Sequence, residues 1–282
     1  MFPSGSREGG RDLTASTLSD REFEQIRHLL YEQAGISLSP GKKALVIGRL
    51  AKRLQAHGLD SFGDYFSLLT DRRHGDELTT AIDLLTTNET YFFREPKHFE
   101  FLRQEILPKV RPGRTFRVWS AASSSGEEAY SIAMTLADAL EGHPWEVVGS
   151  DLSTRVLERA RAGVYPMPRA KDIPDPLLKR CCLKGVRSQE GSFAIDPDLR
   201  RRVSFLQVNL IEALPQLGEF DLVFLRNVMI YFDHSTKQQV VQRVVSTLRP
   251  GGTLFIGHSE ALHPLNPALS VVRPSILRKR LS

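Results

Sequence analysis

The sequence FRVWSAASSSGEEAYSIAMTLADAL, residues 116–140, contains the pattern that decides the fold. Its apolar start is typical of a buried strand, a turn of small residues follows, and a helix begins near Gly126. Small residues in such a turn let the backbone approach a ligand closely, and a helix start offers free N–H groups. This strand–turn–helix arrangement is typical of nucleotide-binding βαβ folds, so we predict a ligand site at the turn.

Two carboxylates at the helix start indicate the charge of that ligand. The turn lacks the glycines of a dinucleotide-binding loop, and Glu127 and Glu128 would repel a pyrophosphate. A carboxylate there suits a ligand with a cationic amino group or a sulfonium, such as S-adenosylmethionine. The sequence leaves one alternative open, which is that the two glutamates only interact favourably with the helix dipole.

A further acidic candidate, Asp151, ends the next apolar run, WEVVGSD, residues 145–151. An acid at the tip of the second strand of a Rossmann-like fold binds ribose hydroxyls, about 20 residues past the glycine loop. Asp151 lies 25 positions after Gly126, close to that spacing. The alternative is that Asp151 caps the following helix, a role for which Ser153 competes.

Apolar runs and helical stretches continue to alternate towards the C-terminus, which predicts an α/β domain with a parallel sheet covered by helices. A proline-rich interruption precedes residue 203, and we expect a small inserted antiparallel β-subdomain at about residues 178–202. The later alternating segments are VSFLQVNL (203–210), FDLVFLRNV (220–228), STKQQVVQRVVSTL (235–248) and GTLFIG (252–257).

The segment before the α/β domain has a different pattern. Residues 1–16 are rich in glycine, serine and charge, and we expect a disordered tail. Residues 17–87 contain helical periodicity and no strand pattern, with a capping-box signature at Ser19 and Glu22. We therefore expect an all-helical N-terminal domain, a linker at 88–97 that contributes to the ligand site, and the α/β domain at 98–282.

Composition indicates which partners and which cellular location the protein can have. A net charge of +5 favours an acidic partner but does not choose among nucleic acid, anionic membrane and acidic protein. The two cysteines, Cys181 and Cys182, are adjacent and have no metal-binding spacing, so we expect free thiols, no metal and a cytoplasmic location. No signal peptide and no stretch of about 18 apolar residues is present.

Four motifs in order connect these observations: NETYFFR at 88–94, SSSGEEAYSIAMTLAD at 123–138, RNVMIYFD at 226–233 and LRPGGTLFIGHSE at 248–260. With them the chain resembles the chemotaxis receptor methyltransferases, the CheR family, from about residue 19 to residue 279. The resemblance implies a helical N-terminal domain, a class I (Rossmann-like) S-adenosylmethionine methyltransferase domain and an inserted β-subdomain. It also implies methyl-ester formation on glutamate side chains of chemotaxis receptors.

The resemblance carries functional roles to individual positions. Arg94 and Tyr231 would lie near the transferred methyl group, and Glu128 rather than Glu127 would contact the cofactor. Ala129 and Ser125 replace a proline and a threonine of the family pattern, and neither change removes a polar ligand group. The implied cofactor contacts are Asn88, Thr90, Arg94, Glu128, Asp151, Asn209, Leu210, Asn227 and Val228.

Substrate recognition is predicted from a basic helix, GKKALVIGRLAKRLQAHG, residues 41–58. At 100° per residue four of its five cations share one arc, while Lys43 lies near the apolar side. This arc would align the glutamate-rich helical bundle of a receptor, although a solvated basic face is the alternative. The cations of this arc are Lys42, Arg49, Lys52 and Arg53.

We expect the inserted subdomain to bind a receptor C-terminal peptide. We also expect the protein to be a monomer that neither binds nucleic acid nor inserts into a membrane. Two functional alternatives stay open: a nucleic-acid methyltransferase, and a non-catalytic module that binds S-adenosylmethionine.

Overall fold

The computed structural model describes residues 17–86, 89–260 and 266–281. The predicted tail at 1–16 and Asn88 lie outside the described residues. The chain divides into two compact units, one formed by the residues up to Leu29 with Leu38–Leu85, the other by Leu30–Ser37 with the chain from Thr86 onward.

The smaller unit is all-helical, as predicted. The first helix begins at the predicted capping box, where Glu22 Oε2 accepts the Ser19 N–H at 2.8 Å and Ser19 Oγ accepts the Glu22 N–H at 3.2 Å. Leu50 and Leu54 are buried at the helical spacing expected of an amphipathic helix. The helices are α1 (Asp20–Ala34, whose last turns belong to the larger unit), α2 (Lys43–Ala56), α3 (Phe62–Thr70) and α4 (Gly75–Leu85).

The larger unit is built on a seven-stranded sheet of order β6-β2-β1-β7-β8-β10-β9. The first five strands in this order are parallel and confirm the predicted α/β fold, whereas β10 and β9 are antiparallel. The strands are β1 (Phe116–Ser120), β2 (Trp145–Asp151), β6 (Val203–Gln207), β7 (Phe220–Leu225), β8 (Leu248–Ile256), β9 (Leu269–Arg273) and β10 (Ile276–Lys279).

Both faces of this sheet are buried. Strand residues alternate between the faces, so Val118 and Leu222 join one apolar cluster while Trp119 and Val223 join the other. Burial on both faces explains why these strands are almost continuously apolar. The helices of this unit are α5 (Pro96–Phe101), α6 (Glu127–Ala139), α7 (Thr154–Ala162), α8 (Asp175–Cys181), α9 (Pro197–Arg200) and α10 (His234–Thr247).

The predicted inserted β-subdomain is a three-stranded antiparallel sheet of order β3-β5-β4. It comprises β3 (Val164–Pro166), β4 (Cys182–Lys184) and β5 (Ser192–Ile195). It therefore begins before the predicted residue 178, because the short proline-containing strand β3 pairs with β5. Among the described residues, no helix is both long and apolar enough to cross a membrane.

Candidate functional site

The candidate site lies where three neighbouring parallel strands end. Strands β2, β1 and β7 are adjacent, so the residues that follow them meet at one edge of the sheet. Asp151 ends β2, Ser120 ends β1, and Arg226 and Asn227 follow β7. This edge is the usual ligand-binding edge of an open α/β sheet.

Asp151 holds the turn after β1. Its Oδ2 accepts the Ser124 N–H at 2.9 Å, and its Oδ1 accepts the Ser153 N–H at 3.1 Å. Ser153 is the residue that caps α7, through a hydrogen bond from the Val156 N–H at 3.4 Å. The competing cap is thus Ser153, and Asp151 instead joins the two loops of the ligand-binding edge.

The same turn carries buried hydroxyl groups that lack partners. Neither Ser123 Oγ nor Ser124 Oγ makes a hydrogen bond within the described part of the chain. Buried polar groups are normally paired, so unpaired hydroxyls at a ligand-binding edge fit a polar ligand such as an adenosyl group. The turn closes at Gly126, whose φ of 96° and whose close contact with Ala160 exclude a side chain.

The two glutamates at the start of α6 have different partners. Glu127 accepts hydrogen bonds from Ser125 Oγ at 2.7 Å and from Arg169 Nη1 at 3.3 Å, so it fastens the turn to the insertion. Glu128 accepts from Ser120 Oγ at 2.7 Å and faces Arg226 at the sheet edge. Burial raises the pKa of both carboxyls.

A buried arginine that sequence reasoning missed lies at the centre of the site. The Arg226 side chain is 1% exposed, and its Nη1 lies 3.3 Å from Glu128 Oε2 while its Nη2 lies 3.4 Å from Glu95 Oε2. Its Nη2 also donates to the backbone carbonyl of Arg94 at 2.5 Å. The available signal was a charged residue directly after the apolar run FDLVFL, since a buried charge requires partners.

One buried guanidinium faces two carboxylates whose side chains are each 13% exposed, so this cluster is short of positive charge. A cationic ligand group beside Glu128 would complete the balance, whereas a phosphate would be repelled. The arrangement therefore fits the charge of S-adenosylmethionine, which carries both an ammonium and a sulfonium.

Asn227 is fixed in an unusual backbone conformation at the same edge. Its φ is 59°, its N–H donates to Glu260 Oε2 at 2.9 Å, and its Nδ2 donates to Glu95 Oε1 at 3.3 Å. Glu260, which sequence reasoning also missed, accepts two further backbone N–H groups, from Gly257 and Met229, each at 2.8 Å. A side chain at Gly257 would meet Asn227 Nδ2 at 2.8 Å, so the glycine permits this approach.

The other predicted cofactor residues occupy the surrounding loops. The Thr90 carbonyl accepts from Arg169 Nη1 at 2.5 Å. Asn209, after β6, donates to the Gln33 carbonyl at 2.9 Å, while Leu210 is buried and Val228 packs beside the core cluster. Asn88 cannot be placed, because it lies outside the described residues.

The predicted catalytic pair lies on two different segments. Arg94 Nη1 donates to the Glu89 carbonyl at 2.6 Å, and its guanidinium lies 5.8 Å from the centre of the Tyr91 ring. Tyr231 lies on the short turn after β7, where its carbonyl accepts the Ser37 N–H at 2.8 Å. The Arg226–Arg94 hydrogen bond connects the Arg94 backbone to the charged cluster.

The four cations predicted to bind the substrate differ in exposure and in their contacts. Lys42 and Lys52 are exposed, but Arg49 Nη1 donates to the Leu84 carbonyl at 2.9 Å. Arg53 forms an ion pair with the buried carboxylate of Glu77. Although burial opposes ionisation, hydrogen bonds led by Arg53 lower the pKa of Glu77 to about 2. Arg49 and Arg53 thus have structural roles in the smaller unit.

Comparison with known proteins identifies relatives for both units. Residues 88–275 match the family described as "CheR methyltransferase, SAM binding domain", and residues 21–86 match "CheR methyltransferase, all-alpha domain". The match confirms S-adenosylmethionine as the cofactor expected from the sequence.

Full-length relatives include the chemotaxis protein methyltransferase of Salmonella typhimurium, 46% identical over 246 residues that cover 86% of this chain and 84% of that protein. The chemotaxis protein methyltransferase of Escherichia coli is 45% identical over 86% of this chain and 85% of its own length. Among solved structures, a glycopeptide N-methyltransferase complexed with S-adenosylmethionine is 17% identical with a TM-score of 0.37, covering 69% of this chain and 61% of that one.

Proposed function

Because the chain belongs to the CheR methyltransferase family, we propose that it esterifies glutamate side chains of methyl-accepting chemotaxis receptors. The family and the methyltransferase activity follow from the matches to both domains and to full-length relatives. The cluster of Glu128, Arg226 and Glu95 beside Asp151 supports the cationic cofactor. The glutamate substrate is the part we propose, and the Arg94 cation, whose backbone carbonyl accepts a hydrogen bond from Arg226, is the observation that supports it most.

When bound, S-adenosylmethionine supplies a methyl group activated by a positive sulfur. Asp151 would bind the ribose hydroxyls, and Glu128 would face the cationic end, with Arg226 holding the Glu128 carboxylate in place. Thr90, Asn88, Asn209, Leu210, Asn227 and Val228 would complete the contacts that the family resemblance assigns.

A glutamate substrate removes the need for a general base. The reference pKa of a glutamate side chain is about 4.3, so the nucleophile is already an anion at neutral pH. Arg94 would orient that anion through its guanidinium, and Tyr231 would donate a hydrogen bond to it. Catalysis would then come mainly from positioning, which can supply about 7–11 kcal/mol.

Two surfaces would bring the receptor to this site. The inserted sheet ends in β4, an outer strand whose Leu183 is 52% exposed, and such an edge can accept an extended peptide. Lys42 and Lys52 on the smaller unit would attract an acidic helical bundle. We further propose that the protein is a monomer and that it is cytoplasmic, and the two free cysteines support the cytoplasmic location.

Tritiated methyl transfer tests the proposal directly. Purified protein and labelled cofactor are incubated in parallel with receptor-containing membranes and with total RNA. We expect label in the receptor that alkali releases as methanol, and mass spectrometry should place the added methyl groups on glutamates. Label in RNA, or alkali-stable label in the receptor, would overturn the glutamate assignment.

A further inference from the structure

Three potential metal ligands from distant parts of the sequence converge beside the cofactor site. Glu95, His98 and His258 each offer one ligand atom, and these three atoms all lie within 4.8 Å of one another. Glu95 Oε2 is 3.5 Å from His98 Nδ1 and 3.8 Å from His258 Nε2. No sequence spacing predicts this group, because His258 follows β8 whereas the other two residues bracket the start of α5.

The two inner ligand atoms are buried and lack hydrogen-bond partners. His98 is 0% exposed, and neither its Nδ1 nor Glu95 Oε2 makes a hydrogen bond within the described residues. Glu95 Oε2 has an ion-pair contact with Arg226 Nη2 at 3.4 Å, whereas His98 Nδ1 has only its 3.5 Å contact with Glu95. A buried polar atom without a hydrogen bond calls for an explanation, such as a bound ion. Since these two atoms face each other, a cation between them would satisfy both.

The His98 ring is oriented as a metal-binding histidine requires. Its other nitrogen, Nε2, forms a hydrogen bond with Ser275 Oγ at 2.8 Å, and its ring stacks on Phe255 with centroids 4.9 Å apart. A partner on the distal nitrogen fixes the ring of a ligating histidine and leaves Nδ1 for the metal.

The two distances from Glu95 Oε2 fit a tetrahedral ion with nitrogen and oxygen ligands. Zinc bonds of about 2.0–2.1 Å place neighbouring ligand atoms about 3.4 Å apart, so two of the three pairs are within about 0.5 Å of the required spacing. We propose that Glu95, His98 and His258 form a site for a divalent transition metal such as Zn²⁺, with a fourth position open. Three protein ligands and an open position are typical of zinc sites that are not purely structural.

The nearby charge of Arg226 opposes binding of this ion, but Glu128 can compensate for it. Arg226 Nη2, 3.4 Å from the same Glu95 oxygen, would be repelled by it. The second carboxylate at Arg226, that of Glu128 at 3.3 Å, offers the guanidinium another partner. The ion would therefore compete with Arg226 for Glu95, and we expect moderate rather than very tight binding.

Cobalt titration tests the site independently of methyl transfer. Co²⁺ in a tetrahedral site absorbs in the visible range, so the metal-free wild-type protein is titrated and compared with His258→Ala. His258 is 47% exposed, so its replacement should preserve the fold. The matched control is His74→Ala, since His74 is 45% exposed and lies 3.5 Å from a carboxylate oxygen of Asp71.

We expect one equivalent of Co²⁺ to produce the visible band in the wild type and in His74→Ala, and Zn²⁺ to displace it. His258→Ala should weaken binding at least about tenfold, the loss typical of weakened metal coordination. The absence of the band in the wild type, or an unchanged titration in His258→Ala, would overturn the proposal.

Discussion

Removal of the Arg226 guanidinium should destabilise the protein strongly. Arg226→Met keeps an apolar stem of similar length. It leaves the carboxylates of Glu128 and Glu95, each 13% exposed, without the cation now 3.3 and 3.4 Å from them. Breaking a buried ion pair by removing one partner costs about 3–5 kcal/mol. With an arginine only 1% exposed and two carboxylates left behind, we expect a loss in that range at neutral pH.

The loss should depend on pH in a defined direction. Burial already raises the pKa of Glu128, although Arg226 opposes the shift, so the pKa should rise further in the variant. In the folded variant the Glu128 carboxyl then retains a proton that it releases at about pH 4.3 in the unfolded chain. Folding stability therefore falls as pH rises from that value through the raised pKa of the folded state, and the penalty is larger at pH 8 than at pH 5.

Urea denaturation followed by circular dichroism at these two pH values measures the effect. The control is Arg180→Met, because Arg180 is 53% exposed and its pair with Asp138, at 2.6 Å, lies at the surface. Exposed pairs contribute about 0–1 kcal/mol, so this control should change little at either pH. If Arg226→Met stayed within about 1 kcal/mol of the wild type at both pH values, the buried-cluster argument would fail.

Four further predictions concern binding and turnover. Asp151→Ala should weaken S-adenosylmethionine binding by about 2–3 kcal/mol through lost hydrogen bonds to a charged group, and calorimetry with unchanged affinity would remove Asp151 from the cofactor site. Arg94→Ala should reduce receptor methylation strongly with an unchanged circular dichroism spectrum, whereas turnover within a few-fold of the wild type would make Arg94 structural. Lys42→Glu with Lys52→Glu should raise KM for the receptor and flatten the salt dependence without changing cofactor affinity, and equal KM in both proteins would restore the solvated-face interpretation. Receptor C-terminal pentapeptides should bind beside β4 and lose affinity in Leu183→Asp, and a fluorescence titration without binding at high micromolar concentration would exclude the docking role.

The periodic part of the fold was predictable from sequence because it follows from burial. Strands β1, β2 and β7 are buried on both faces and are mostly apolar, so their alternation with helices indicates a parallel sheet. The antiparallel strands β9 and β10 were not predicted. Val271 and Val272 on β9 are exposed, so this edge strand lacks the continuous apolar signal of the buried ones.

Site residues were predictable only where their position in a local sequence pattern, such as a helix start or a strand end, indicates their role. Glu128 and Asp151 stand at a helix start and a strand end, positions that patterns identify, and the structure separates Glu128 from Glu127 by their partners. Arg226 was missed because its partners come from elsewhere in the chain. The same limit affected α2, whose periodicity placed Arg53 on a polar arc but gave no sign of the buried partner Glu77.

The left-handed backbone at Glu95 and Asn227, with φ values of 57° and 59°, has a consequence for evolution. Each such non-glycine residue is strained by about 1–3 kcal/mol, and glycine would adopt the same conformation freely. Relief of this backbone strain alone would favour glycine, but glycine would discard the Glu95 carboxylate and the Asn227 amide, together with the contacts that they make at the site. Lineages that adapt to heat while keeping these side chains must therefore gain their stability elsewhere in the chain.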